Sequence, residues 1–189
     1  MFHLAKALLC LYVVLRFLLP LPWPRWAKGL IAVVLMVVFQ HSLISRIVFG
    51  TMFSPEVPRM TMIIVNWMAG MILLLGIFQL ALDLFALVTA ALRRRRIRIP
   101  VGLRYGIGAA AMSLAAFAVN QAIRVPPVKE VEIRIPNLPA QFDGYRLIQL
   151  TDLHISRLFQ APWVEETVAK ANAQNADLIV ITGDLVDGS

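Results

Sequence analysis

Four apolar stretches fill most of the first 124 residues, each long enough to cross a lipid bilayer, and they leave little room there for a soluble fold. They run over 4–21, 29–49, 60–92 and 101–123. Pro20, Pro22 and Pro24 separate the first two, and Pro55 and Pro58 precede the third, because proline lacks the amide donor that a continuing helix needs. An arginine-rich segment ending at Pro100 separates the third from the fourth. The pattern predicts a multi-helix transmembrane bundle of about four spans over residues 1–124, a multi-pass protein of the plasma (inner) membrane.

Charge sets the expected orientation. Residues 1–124 hold 13 Lys and Arg against Glu56 and Asp83, a net of +11, whereas residues 125–189 hold five basic and nine acidic residues, a net of −4. The basic pI therefore describes the flanks of membrane helices. No interleaving of cations and aromatic rings suggests base stacking, so nucleic acid is not an expected partner. The 93–98 loop alone carries five arginines, and the 22–28 loop carries Arg25 and Lys28. With four spans both loops lie on the cytoplasmic side, which places residues 125–189 on the non-cytoplasmic face. Cys10, the lone cysteine, excludes an internal disulfide.

Inside the spans, Arg16 and Asp83 are costly at membrane depth. An interhelical pair or snorkelling toward the headgroups accounts for them more economically than a transport path. Gly102 and Gly106 form a G-x-x-x-G that permits close helix contact. Trp23 and Trp26 read as interfacial anchors.

After Pro126 and Pro127 the texture changes. Val128 to Ile135 alternates apolar and polar residues, the period of a half-buried strand. Turn signals follow around Pro139 and Gly144. Arg146 to Leu150 reads as a second strand that delivers Thr151, Asp152 and His154 at its end. Pro162 opens a helix running to about Asn172, with Glu165 and Glu166 expected in its first turn. Asp177 to Thr182 is nearly all apolar, as in a strand covered on both faces, and Gly183 and Asp184 follow at once. Strand, helix, strand implies a crossover that lays the two strands parallel, with their C-terminal ends at one edge.

That edge would gather Asp152, His154 and Asp184. In D-L-H on an extended segment, positions two apart point to the same side. Carboxylate and imidazole together suit divalent Mn, Fe, Co or Zn. Glycine at 183 lets the backbone approach closely. Taken alone, D-L-H and G-D are common strings; their placement after two apolar strands of one unit makes them informative.

The segments R-L-I-Q-L-T-D-L-H-I-S and A-D-L-I-V-I-T-G-D-L-V-D-G resemble the opening of a calcineurin-like metallophosphoesterase domain, and more narrowly its bacterial membrane-anchored branch. The resemblance covers about residues 128–189 and implies a partial α/β domain, the first βαβ unit of a two-sheet sandwich, over residues 125–189. It implies two divalent metal ions in the complete domain, with Asp152 and His154 holding the first and Asp184 bridging both. Asp187 matches the D-G ending and reads as a loop residue or one behind the ligands. The third motif, G-N-H followed by Asp or Glu, and the later G-H-x-H are absent, so no catalytic histidine is assigned. The expectation is therefore a truncated chain, inactive alone. By the same resemblance the substrate is a phosphodiester or pyrophosphate of the cell envelope, a phosphorylated small molecule or lipid such as UDP-diacylglucosamine. Two other readings stay open: a non-catalytic membrane scaffold, and a small transporter, each with a vestigial half-site.

Overall fold

The computed structural model describes residues 1–52, 55–94 and 98–187; Arg95 and Arg96 of the arginine-rich loop, and Gly188 of the D-G pair, lie outside the described residues. The chain divides into two compact units, a helical one made of residues 1–52 and 57–122, and a second that takes in the chain from Ile123 onward.

The helical unit contains α1 (Phe2–Val13), α2 (Arg25–Phe39), α3 (His41–Phe49), α4 (Arg59–Arg93) and α5 (Val101–Ala122). Apolar side chains cover both the inside and the outside of these helices. Cys10, Val13 and Ile72 are fully buried between them, while Leu73, Ile77, Leu80 and Leu84 of α4 face outward. A helix apolar all round has lipid as its natural solvent. Among the described residues two helices, α4 and α5, are long and apolar enough to cross a membrane; the count is three if α2 and α3, bent by 56° at Gln40, form one span.

The difference from the expected four lies in the 4–21 stretch. There α1 runs only to Val13 and passes into a π-helical turn, Val14–Leu18. In that turn the Leu19 amide reaches back five residues to the Val14 carbonyl at 2.9 Å. Pro20 explains the local geometry, since it has no N–H to offer Arg16, four residues before it.

Close helix contact is made by other glycines than those expected. Around Gly102 and Gly106 there is open space. Gly76 instead lets Leu9 of α1 lie against α4, since a Cβ there would come within 2.6 Å of the leucine side chain. Gly108 of α5 similarly faces the ring of Phe17, at 3.3 Å from where its Cβ would be. The G-x-x-x-G spacing marks small residues, and which of them meets a neighbour depends on how each helix is rotated in the bundle.

The second unit holds a 3-10 turn (Ala140–Phe142), β1 (Leu147–Thr151), α6 (Ala161–Asn172) and β2 (Leu178–Thr182). β1 and β2 are parallel and in register, from Leu147 opposite Leu178 to Thr151 opposite Thr182. Gly144 takes a φ of 77° in the expected turn, a conformation that glycine adopts without steric cost. Asp177 ties the start of both strands: its carboxylate accepts the Arg146 amide at 2.8 Å, and its own amide donates to the Arg146 carbonyl at 2.8 Å.

Three expectations need correction here. Val128 to Ile135 forms no strand, and Val131, Ile133 and Ile135 are exposed, because among the described strands β1 and β2 pair only with each other. Alternation supplies an apolar face but no ladder of hydrogen bonds. β2 is not covered on both faces, since Leu178, Ile179 and Ile181 are all exposed. Glu165 and Glu166 fall beyond the first turn of α6, which starts at Ala161, and Glu166 pairs instead with Lys170 one turn on, at 2.9 Å.

Candidate metal centre

Where β1 and β2 end, their chains continue side by side. The Asp152 amide donates to the Thr182 carbonyl at 3.1 Å, the His154 amide to Asp184 at 3.2 Å, and the Ile155 amide to Leu185 at 3.0 Å. Ile155 and Val186 form a parallel bridge, and the Asp187 amide returns to Ile155 at 3.0 Å. The two post-strand loops are thus zipped together. Asp152, His154 and Asp184 lie on neighbouring strands of chain although Asp152 and Asp184 are 32 positions apart in sequence.

The local backbone is not extended, as the D-L-H spacing had suggested. Asp152 (φ 51°) and His154 (φ 46°) both adopt the left-handed region, and Gly183 joins them at 73°. Such conformations cost L-residues about 1–2 kcal/mol each, though Asp and His tolerate them better than most. The chain leaves the pleat at Thr151, so the alternation that held along β1 no longer sets side-chain direction. Strain of this kind, held by surrounding hydrogen bonds, is concentrated at functional sites.

The Asp152 and His154 side chains at this edge are held by hydrogen bonds. Asp152 Oδ2 accepts the Thr151 hydroxyl at 2.8 Å, and its Oδ1 accepts the Asp184 amide at 3.3 Å. These donors, the Thr151 hydroxyl first, lower the Asp152 pKa from its ordinary value. His154 Nδ1 lies 2.8 Å from Asp187 Oδ1, and that contact raises the imidazole pKa above its ordinary 6.5. Asp187 therefore stands behind His154, as its position in the D-G ending had suggested. It fixes the ring and leaves Nε2 as the nitrogen for a cation, the usual division of labour around a ligating histidine. Gly183 is required for a reason the sequence only hinted at. A Cβ at that position would collide with the Asp152 carboxylate, so the close approach is to Asp152 itself.

Among the described residues, no three or more His, Cys, Asp or Glu side chains are gathered closely enough to hold a metal ion. The donor chemistry nevertheless fits a divalent cation. Two carboxylates and an imidazole are the ligand types that first-row metals take, and a carboxylate with one hydrogen bond on each oxygen keeps lone pairs for further bonds. The backbone brings the three residues to one edge; their side chains do not share one centre.

Known proteins give this edge a context. An uncharacterised metallophosphoesterase of Campylobacter jejuni is 30% identical over 112 residues, which cover 57% of this chain and 29% of that protein. A transmembrane protein with metallophosphoesterase domain from Danio rerio is 35% identical over 74 residues, 39% of this chain and 17% of its own length. An uncharacterised metallophosphoesterase of Helicobacter pylori is 36% identical over 64 residues, 34% of this chain and 16% of that protein. The chain spans under a third of the length of these relatives. No family profile matches it, and no solved structure does. The relatives identify the chain as similar to metallophosphoesterases, a transmembrane one among them, as the D-L-H and G-D segments had suggested.

Proposed function

We propose that the chain works in a membrane-attached, metal-dependent phosphoesterase that hydrolyses a phosphodiester or pyrophosphate of the cell envelope, lipid-linked substrates included. The observation that carries this reading is the zipped edge, in which the Asp184 amide donates to the Asp152 carboxylate and the His154 amide to the Asp184 carbonyl. Names of relatives support the reaction class, and the apolar helices support attachment to a bilayer.

In this reading Asp152 and His154 would hold a first divalent ion, and Asp184 would serve both it and a second. Such ions, when bound, polarise a phosphate ester and lower the pKa of a water for in-line attack. The chain's own contribution is to position donors. Asp187 presents the His154 ring through Nδ1, Thr151 orients the Asp152 carboxylate, and Gly183 leaves room for that carboxylate beneath Asp184. Four membrane crossings, with residues 125–189 on the non-cytoplasmic face, complete the proposal. The transporter alternative draws no support from Asp83, whose two oxygens are taken by Tyr12, Arg16 and Gln79.

The test is metal binding by the purified full chain, followed by the spectrum of bound Mn(II). Asp152→Asn, His154→Gln and Asp184→Asn should each weaken it at least about tenfold. Binding indifferent to all three substitutions would refute the site. Placement in the envelope is checked separately, by protease accessibility of a tag at residue 189 in intact spheroplasts.

A further inference from the structure

A second polar cluster lies wholly within the helical unit and plays no part in the phosphoesterase reading. Arg16 Nε and Nη2 donate to Oδ2 and Oδ1 of Asp83, both at 2.9 Å. Tyr12 donates to Oδ2 and Gln79 Nε2 to Oδ1, each at 2.8 Å. Arg104 Nη1 donates to the Arg16 carbonyl at 2.6 Å and to Gln79 Oε1 at 3.4 Å. The first of these bonds satisfies the carbonyl that Pro20 leaves without a donor. The cluster thus holds two guanidiniums and one carboxylate, which only Arg16 engages, while Arg104, only 8% exposed, reaches neutral acceptors alone among the described residues. The cluster carries an excess positive charge.

Depth follows from helix length. The 22 residues of α5 measure about 33 Å, one hydrocarbon thickness, so a crossing uses the whole helix and leaves its first turn at the headgroups. Arg104 is in that turn, and Arg16 lies two residues before the end of the first helical stretch at Leu18. Next to Arg104, the Tyr105 hydroxyl accepts the Trp23 indole N–H at 3.0 Å, an aromatic pair of the kind found at membrane interfaces. The Arg16 side chain is 56% exposed, and its Nη1 is not used by Asp83. Below it Leu8, Leu11 and Leu15 form an exposed apolar stripe along the same helix.

We infer that Arg16 and Arg104 form a docking site for the phosphate of one anionic glycerophospholipid, whose acyl chain lies along the leucine stripe. Arg16 offers the outward donor, and Arg104 supplies beneath it the charge that Asp83 leaves uncompensated. A free phosphate would use the same guanidiniums but has no use for the stripe, which favours the lipid.

Native mass spectrometry of the delipidated full chain in detergent tests this, with dioleoyl phosphatidylglycerol, dioleoyl phosphatidylcholine and inorganic phosphate as probes. One phosphatidylglycerol should bind about fivefold more tightly than phosphatidylcholine, the effect of roughly one cation at the membrane surface. Arg104→Gln keeps the Arg16–Asp83 pair, removes the excess charge, and should abolish the preference. Equal binding of the two lipids overturns the inference, as does a preference that survives Arg104→Gln. Inorganic phosphate that displaces phosphatidylglycerol completely overturns the lipid assignment. If Arg104→Gln loses its helical circular dichroism, Arg104→Lys decides. It keeps the charge and should keep the preference, and a folded Arg104→Lys chain without it also overturns the site.

Discussion

The two polar clusters of this protein solve opposite problems. Around Asp83 each carboxylate oxygen has donors from two side chains, three side chains in all, on helices packed so that Gln79 is fully buried. Around Asp152 the donors are a neighbouring hydroxyl and a backbone amide, and the strands beneath are exposed. In a bilayer no water completes a polar group, so side chains from several helices must do so. At the end of a sheet, water and ligands are at hand, and the fold need only fix the backbone. The Asp83 carboxylate is closed by side chains of its own bundle; the Asp152 edge is open by construction.

Removing one partner from the closed cluster should therefore have the largest effect. Asp83→Ala leaves Arg16 and Arg104 without a counter-charge and should cost about 3 kcal/mol, the low end for a broken buried pair because Arg16 is half exposed. Unfolding of the full chain in mixed micelles with increasing SDS measures it, and a change near zero would erase the contrast between the clusters. Gly183→Ala comes next. It forces a left-handed alanine against the Asp152 carboxylate, at about 2 kcal/mol for the second unit, read by urea denaturation.

A smaller effect is expected at Asp187, which touches the site only through His154. Asp187→Asn should weaken Mn(II) binding about tenfold and bring the His154 titration down toward 6.5, followed by NMR of the ring protons. The sign is set by the raised pKa. The protonated His154–Asp187 contact helps the metal-free fold below the ordinary imidazole pKa and is lost as pH rises through the raised value. Metal binding needs the neutral ring, so Mn(II) affinity should fall on acidification through that same value, and a flat pH profile would show that His154 is not a ligand. Smallest of all is Glu166→Ala, which removes an exposed pair with Lys170 worth about 0.3 kcal/mol, by the same urea titration.

Much of this edge could be read from residue order. Two apolar runs separated by a helix-length segment predict parallel strands ending together, and Leu147–Thr151 and Leu178–Thr182 do so within a residue of the expected bounds. Asp152, His154 and Asp184 arrive at one edge for that reason. Their directions were not legible, because the left-handed turns at 152 and 154 depend on hydrogen bonds to a segment some 30 residues on. The D-G ending leaves Asp187 as a loop residue or one behind the ligands, and its bond to Nδ1 of His154 requires both loops to be laid out. Gly102 and Gly106 mislead for a related reason: spacing marks a face, and rotation of the helix chooses what that face meets.

Sequence alone determined the division into an apolar, basic part and a polar, acidic one, since hydrophobicity and charge add residue by residue without any partner. It also determined which chemistry stands after each strand, because order along the chain is enough for that. Tertiary structure alone decided that Arg104 completes a carbonyl orphaned by Pro20, that Val128 to Ile135 stays unpaired, and that Gly183 makes way for Asp152. Each of these depends on a distance between residues far apart in the chain, and such distances exist only once the backbone has closed on itself.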